Sequence, residues 1–109
     1  MNSFSAMCRA EGLVPGAQFL SMEIAIPNEK EKAFFNSPEL KTVLHLRRLR
    51  TADAKPVVLE RLSLASSCSF LLNADLTRSI FEILTENGMK PDRVQREISI
   101  WLRRHVIIQ

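Results

Sequence analysis

Tyrosine is absent from this 109-residue chain, tryptophan occurs once, and there are only three glycines and two cysteines. The missing tyrosine and the lone Trp101 carry no functional inference, but the other shortages do. Cys8 and Cys68 have no CxxC spacing, no neighbouring histidine cluster and no secretory leader. That excludes a disulfide framework, and a reducing cytoplasm is expected, with both thiols as small buried hydrophobes. No apolar run approaches ~18 residues, which excludes a membrane-spanning helix. The formal charge of +3 is mild and its basic residues are scattered, without the dense stripe of a nucleic-acid binder. Direct DNA contact would be nonspecific and salt-sensitive. His45 and His105 have no supporting ligand spacing, so neither a metal nor a cofactor is expected. No glycine-rich phosphate loop, Ser-His-Asp arrangement or pair of catalytic carboxylates can be assembled, which argues against an enzyme.

What is present is an ordinary globular balance, 46% hydrophobic and 25% charged, enough for one domain with a modest core. Ser3 caps a short helix carrying Phe4, Met7, Cys8 and Ala10, closed by Gly12. Pro15-Gly16 reads as a turn, Ala17 to Ile26 as a strand ended by Pro27, and Asn28 as the cap of a helix over Glu29 to Phe35. Asn36-Ser37-Pro38 breaks that helix. Lys41 to Ala52 and Pro56 to Ala65 form a hairpin, and Ser66-Ser67-Cys68-Ser69 is expected as a loop crossing the sheet edge. Asp75 or Thr77 caps a further helix with Ile80, Ile83 and Leu84 on one face and Gly88 after its end. After a turn at Met89-Lys90-Pro91, Val94 to about Arg103 is a final strand with Ile98, Ile100 and Leu102 at period two. This order favours an α+β fold with a largely antiparallel sheet.

The hairpin carries the chemistry. Alternation points Arg48 and Arg50 to the same face of one strand. With Asp53-Ala54-Lys55 as the loop, Arg48 lies opposite Glu60, and opposed residues share a face. Two arginines and a glutamate there suit an anionic, hydroxylated small molecule, since guanidinium grips phosphate or carboxylate in bidentate fashion. The competing account is an exposed sheet face with solvated charges and a plain cross-strand ion pair. Arg47 falls on the other face as a structural residue, His45 is a sheet-face residue, and Arg61 is expected in solvent.

The ordered set Phe4-Ser5, Gly12-Leu13-Val14-Pro15-Gly16, Leu46-Arg47-Arg48-Leu49-Arg50, Pro56-Val57-Val58-Leu59-Glu60-Arg61, Asp75-Leu76-Thr77-Arg78-Ser79-Ile80 and Glu97-Ile98 resembles the UTRA domain. This is the effector-binding module of HutC/FarR-type regulators in the GntR family. The resemblance spans residues 1 to about 100. It implies a chorismate-lyase-like fold, a curved, mainly antiparallel sheet flanked by helices, incomplete here at the C-terminus. It also implies a homodimeric cytoplasmic transcription regulator binding a small anionic metabolite, often a sugar phosphate. DNA contact would be made through an upstream winged-helix domain absent from this chain. The tail from Trp101 to Gln109 does not resemble the family's continuation, so residues 1–109 are read as a shortened ligand-binding domain.

On the same resemblance, the ligand-binding residues are Phe4 and Ser5 at the first helix, Arg48 and Arg50, Glu60, and Ser79. Ser5 and Ser79 fall in first turns of expected helices, where free N–H groups favour anions, although serine is also a common cap. Phe81 either walls the pocket or belongs to the core. Two other functions remain open: an interaction fragment that only dimerises, and an enzyme acting on a small aromatic acid, which rests on fold analogy alone.

Overall fold

Period-two spacing places Leu44, Leu46, Leu62 and Leu64 on one sheet face, and that face becomes the core. The computed structural model describes residues 4–90 and 94–100, with 97–100 as backbone. The chain runs α1 (Phe4–Ala10), β1 (Pro15–Ala25), α2 (Glu29–Phe34), β2 (Val43–Ala52) and β3 (Lys55–Leu64). A 3-10 helix (Ser66–Asn73), α3 (Ile80–Glu86) and β4 (Val94–Ile100) follow. The strands form an antiparallel sheet in the order β1-β2-β3-β4, so the expected α+β, antiparallel class is what the chain adopts.

The 3-10 helix and α3 cover the leucine face. Leu71, Leu76, Ile80, Ile83 and Leu84 pack there with Val94, and both thiols, Cys8 and Cys68, are buried and free. Ile80, Ile83 and Leu84 reach the sheet together because i, i+3 and i+4 share a helix face. Leu46 and Leu62 are essentially unexposed; truncating either to alanine should cost about 2–5 kcal/mol. Further along the same face the leucines give way to Arg48, Arg50 and Glu60, so the polar site is a continuation of the core surface.

The opposite face is held by α2. Asn28 Oδ1 accepts from Glu31 N at 2.7 Å, and Asn28 N donates to Glu31 Oε1 at 2.9 Å, a reciprocal capping box. The other oxygen of Glu31 accepts from Ser63 Oγ at 2.6 Å and lies 2.7 Å from His45 Nε2. A capping carboxylate thus doubles as the anchor of its helix on the sheet. Burial pushes the Glu31 carboxyl upward, but the bonds from Ser63, the Asn28 backbone and His45 outweigh it and hold the group below its ordinary value.

Several local expectations are corrected. Pro15 and Gly16 open β1 rather than making a turn, since Gly16 pairs with Thr51. The Ser66 segment is a 3-10 helix, not a loop. Ser79 caps α3, its Oγ accepting from Glu82 N at 3.3 Å, whereas Asp75 accepts from Thr77 N and Oγ1 in a local turn. Arg61 is half-buried, with Nη2 3.2 Å from His45 Nδ1, and not free in solvent. The Ser3 cap, Pro91, and the strand beyond Ile100 with its Trp101 tail and His105 lie outside the described residues. No helix among the described residues is long and apolar enough to cross a membrane.

Candidate ligand-binding cavity

The hairpin register brings the site together. Asp53 and Ala54 form a two-residue turn with φ of 50° and 66°, and Ala52 pairs with Lys55. Two left-handed residues in succession give the type I′ geometry that matches strand twist. A bulge between Arg50 and Thr51 then shifts the pairing, so Arg50 faces Val58 and Arg48 faces Glu60. The sequence suggests a three-residue loop without a bulge, which gives the same pairing for these residues. Asp53 also ties the turn to β1: Val14 N donates to its Oδ1 at 2.7 Å.

Arg48 is 2% exposed and engaged through all three of its nitrogens. Its Nε lies 2.8 Å and its Nη2 2.7 Å from Glu60 Oε1, while Nη1 donates to the carbonyls of Leu76 at 3.1 Å and Arg78 at 2.7 Å. It therefore fastens the segment leading into α3 onto the sheet. Glu60 is buried and is the common partner of three guanidiniums: Arg50 Nη1 and Arg96 Nη1 lie 3.8 and 3.5 Å from its Oε2.

Arg50 is held from the other side. Its Nε donates to Gly16 O at 3.2 Å, its Nη2 to Ser5 Oγ at 3.3 Å, and its guanidinium lies 4.9 Å above the Phe4 ring. Burial, and next the neighbouring Arg48, push the Arg50 pKa below its usual value, while Glu60 pulls it back up. Gly16 fits closely here: a Cβ at that position would lie 2.6 Å from Thr51 Oγ1, so the threonine side chain would have to shift.

These groups line a cavity of about 320 Å³ between α1, the sheet and α3. Of the residues expected from sequence, Ser5, Arg48, Arg50, Glu60, Ser79 and Phe81 line it, and Phe4 stands behind as the platform for Arg50. Arg9, Thr77, Glu82 and Arg96 line it as well and were not singled out in the sequence. A signal for Arg96 did exist: the period-two run of Ile98 and Ile100, extended backwards, places an arginine at an inward position. Its guanidinium lies 5.2 Å over the Phe81 ring.

The family model of the UTRA domain matches residues 10–103. The chain belongs to the UTRA family. It is thereby an effector-binding regulatory domain, and its structural neighbours agree in fold. PhnF from Mycobacterium smegmatis superposes with a TM-score of 0.71 at 23% identity, covering 81% of this chain and 40% of that one. The effector domain of PhnF gives a TM-score of 0.68 at 23% identity, covering 79% of this chain and 54% of that one. The ligand-binding domain of a proposed GntR-family transcriptional regulator from Bordetella bronchiseptica gives 0.54 at 13% identity, covering 82% and 83%. The chain thus spans about half or less of the two PhnF structures. No curated protein matches this UTRA domain.

Proposed function

We propose that this UTRA domain binds an anionic metabolite, such as a sugar phosphate, in the cavity around Glu60. In this reading it is the sensing and dimerising part of a GntR/HutC-type bacterial transcription regulator. The supporting observation is the charge balance: three guanidiniums surround one carboxylate, and the other charged lining residues, Arg9 and Glu82, are one of each sign. Among the described residues, two positive charges are left in excess in a confined space, a standing preference for an anion. Ser5 and Ser79 add hydroxyls at the wall, and Phe81 and Ile80 add apolar surface for the rest of the ligand. We read the site as a binding module, not an enzyme, with DNA contact made by a separate winged-helix domain in the cytoplasm. For regulation, the ligand must bind one conformation of the regulator better than another.

Thermal-shift measurements against sugar phosphates, amino-acid derivatives and fatty acids test the reading, because a ligand that binds only the folded state raises its stability. A sugar phosphate should stabilise the domain, and Arg50→Ala should remove the shift. A flat response to the whole panel, or a shift unchanged by Arg50→Ala, would count against it. Dimerisation is favoured by Ile24 on the edge strand β1 and by the adjoining Ile26, 73% and 86% exposed. A strict monomer in sedimentation at high concentration would remove that part of the proposal.

A further inference from the structure

The two oxygens of Glu60 are not treated alike. Oε1 is closely held by Arg48, whose Nη1 donates to the Leu76 and Arg78 carbonyls. Among the described residues, Oε2 has two longer approaches, from Arg50 at 3.8 Å and Arg96 at 3.5 Å. These two guanidiniums come from opposite sides, Arg50 lying over Phe4 and Arg96 over Phe81. Each guanidinium thus packs against an aromatic ring. Among the described residues, Arg96 makes one hydrogen bond, the 3.5 Å contact to Glu60. Arg96 is among the residues that line the cavity.

We infer that Arg96 selects the charge of the ligand, completing with Arg50 a two-guanidinium clamp for a tetrahedral dianion of the phosphate-monoester or phosphonate class. The inference rests on the cavity being an anion site. A dianion neutralises both excess charges and accepts from both arginines, whereas a monoanion leaves one charge uncompensated beside Arg48 and Arg50. Arg50 already stands in a field of like charge, its pKa depressed by burial and then by Arg48, so the second negative charge relieves an existing repulsion.

Methyl phosphate and methyl sulfate decide the matter at a fixed pH of about 8. They share size and tetrahedral oxygens, but the phosphate is dianionic above its second pKa of about 6 and the sulfate ester is a monoanion. In NMR titrations at constant ionic strength, the wild-type domain should bind methyl phosphate about tenfold more tightly, the increment of one further charge-assisted hydrogen bond. Arg96→Gln should bring the ratio close to one while leaving methyl sulfate affinity within about twofold. Arg96→Lys, which keeps the charge without the planar fork, should restore part of the preference. If Arg96→Gln weakens both esters equally, the charge-selecting role is overturned. The same holds if the wild type does not discriminate while Arg50→Ala abolishes binding; the anion-site reading then stands without this inference. If neither ester perturbs the cavity residues, both fall together.

Discussion

Arg48 and Glu60, paired across β2 and β3, form a buried ion pair with side-chain exposures of 3% and 2% and a closest approach of 2.7 Å. The pair sits where the leucine face of the sheet ends and the cavity begins. It positions the site: Arg48 fixes the segment before α3, and Glu60 gathers Arg50 and Arg96.

Removing one partner should therefore be worse than removing both. Arg48→Ala leaves Glu60 buried and also frees two carbonyls, an expected loss of about 3–5 kcal/mol. Replacing the pair by Arg48→Met with Glu60→Leu should cost less, because the buried carboxylate goes together with its closest partner, although Arg50 and Arg96 lose Glu60. Urea denaturation of the wild type and these two variants checks the order, and a double variant as unstable as Arg48→Ala would contradict it.

The Glu31 anchor makes stability depend on pH in a defined direction. The folded-state pKa of Glu31 is depressed below 4.5. Its contribution is therefore fully present above about pH 5 and is lost as pH falls through the folded value. Wild type and Glu31→Gln should differ by a constant amount at neutral pH and converge in acid. Denaturation midpoints between about pH 2 and 7 test this, and a gap that widens in acid would give the wrong sign.

Gly16 should tolerate alanine only if Thr51 is trimmed. Gly16→Ala forces the added methyl against Thr51 Oγ1 and displaces the carbonyl that accepts from Arg50 Nε. The expected loss is about 1–3 kcal/mol. Thr51→Ala removes the obstructing atom and Thr51→Val does not, so only the first should rescue Gly16→Ala in a double-mutant cycle.

Ala54 stands at φ 66° in the hairpin turn, a conformation that suits glycine. Ala54→Gly should stabilise the domain by up to about 1 kcal/mol, measured as a rise in Tm, with the register of Arg48 and Glu60 unchanged.

The parts legible in the sequence were those governed by strand alternation and capping. Arg48 opposite Glu60 follows from counting residues through the turn, although the true path is a two-residue turn with a bulge. Asp53-Ala54 lacks the glycine that usually marks such a turn, so the loop was one residue too long. The omission of the bulge offset that error. Ser66–Asn73 showed no helical periodicity because a short 3-10 segment has little to show. The sequence offers Asp75 or Thr77 as the cap of α3 as readily as Ser79, since all three have the right chemistry and only tertiary docking of α3 decides between them. Arg9 and the Glu31–His45–Ser63 cluster arise from contacts between distant elements, for which local spacing gives no rule.

The most direct test is a crystal structure of the domain grown with a stabilising sugar phosphate. The phosphoryl group should lie within hydrogen-bond reach of Arg50, in the cavity between α1 and α3, with Arg48 still bonded to Glu60. A phosphoryl group bound elsewhere, or an Arg48 that leaves Glu60 to take the ligand, would contradict the account.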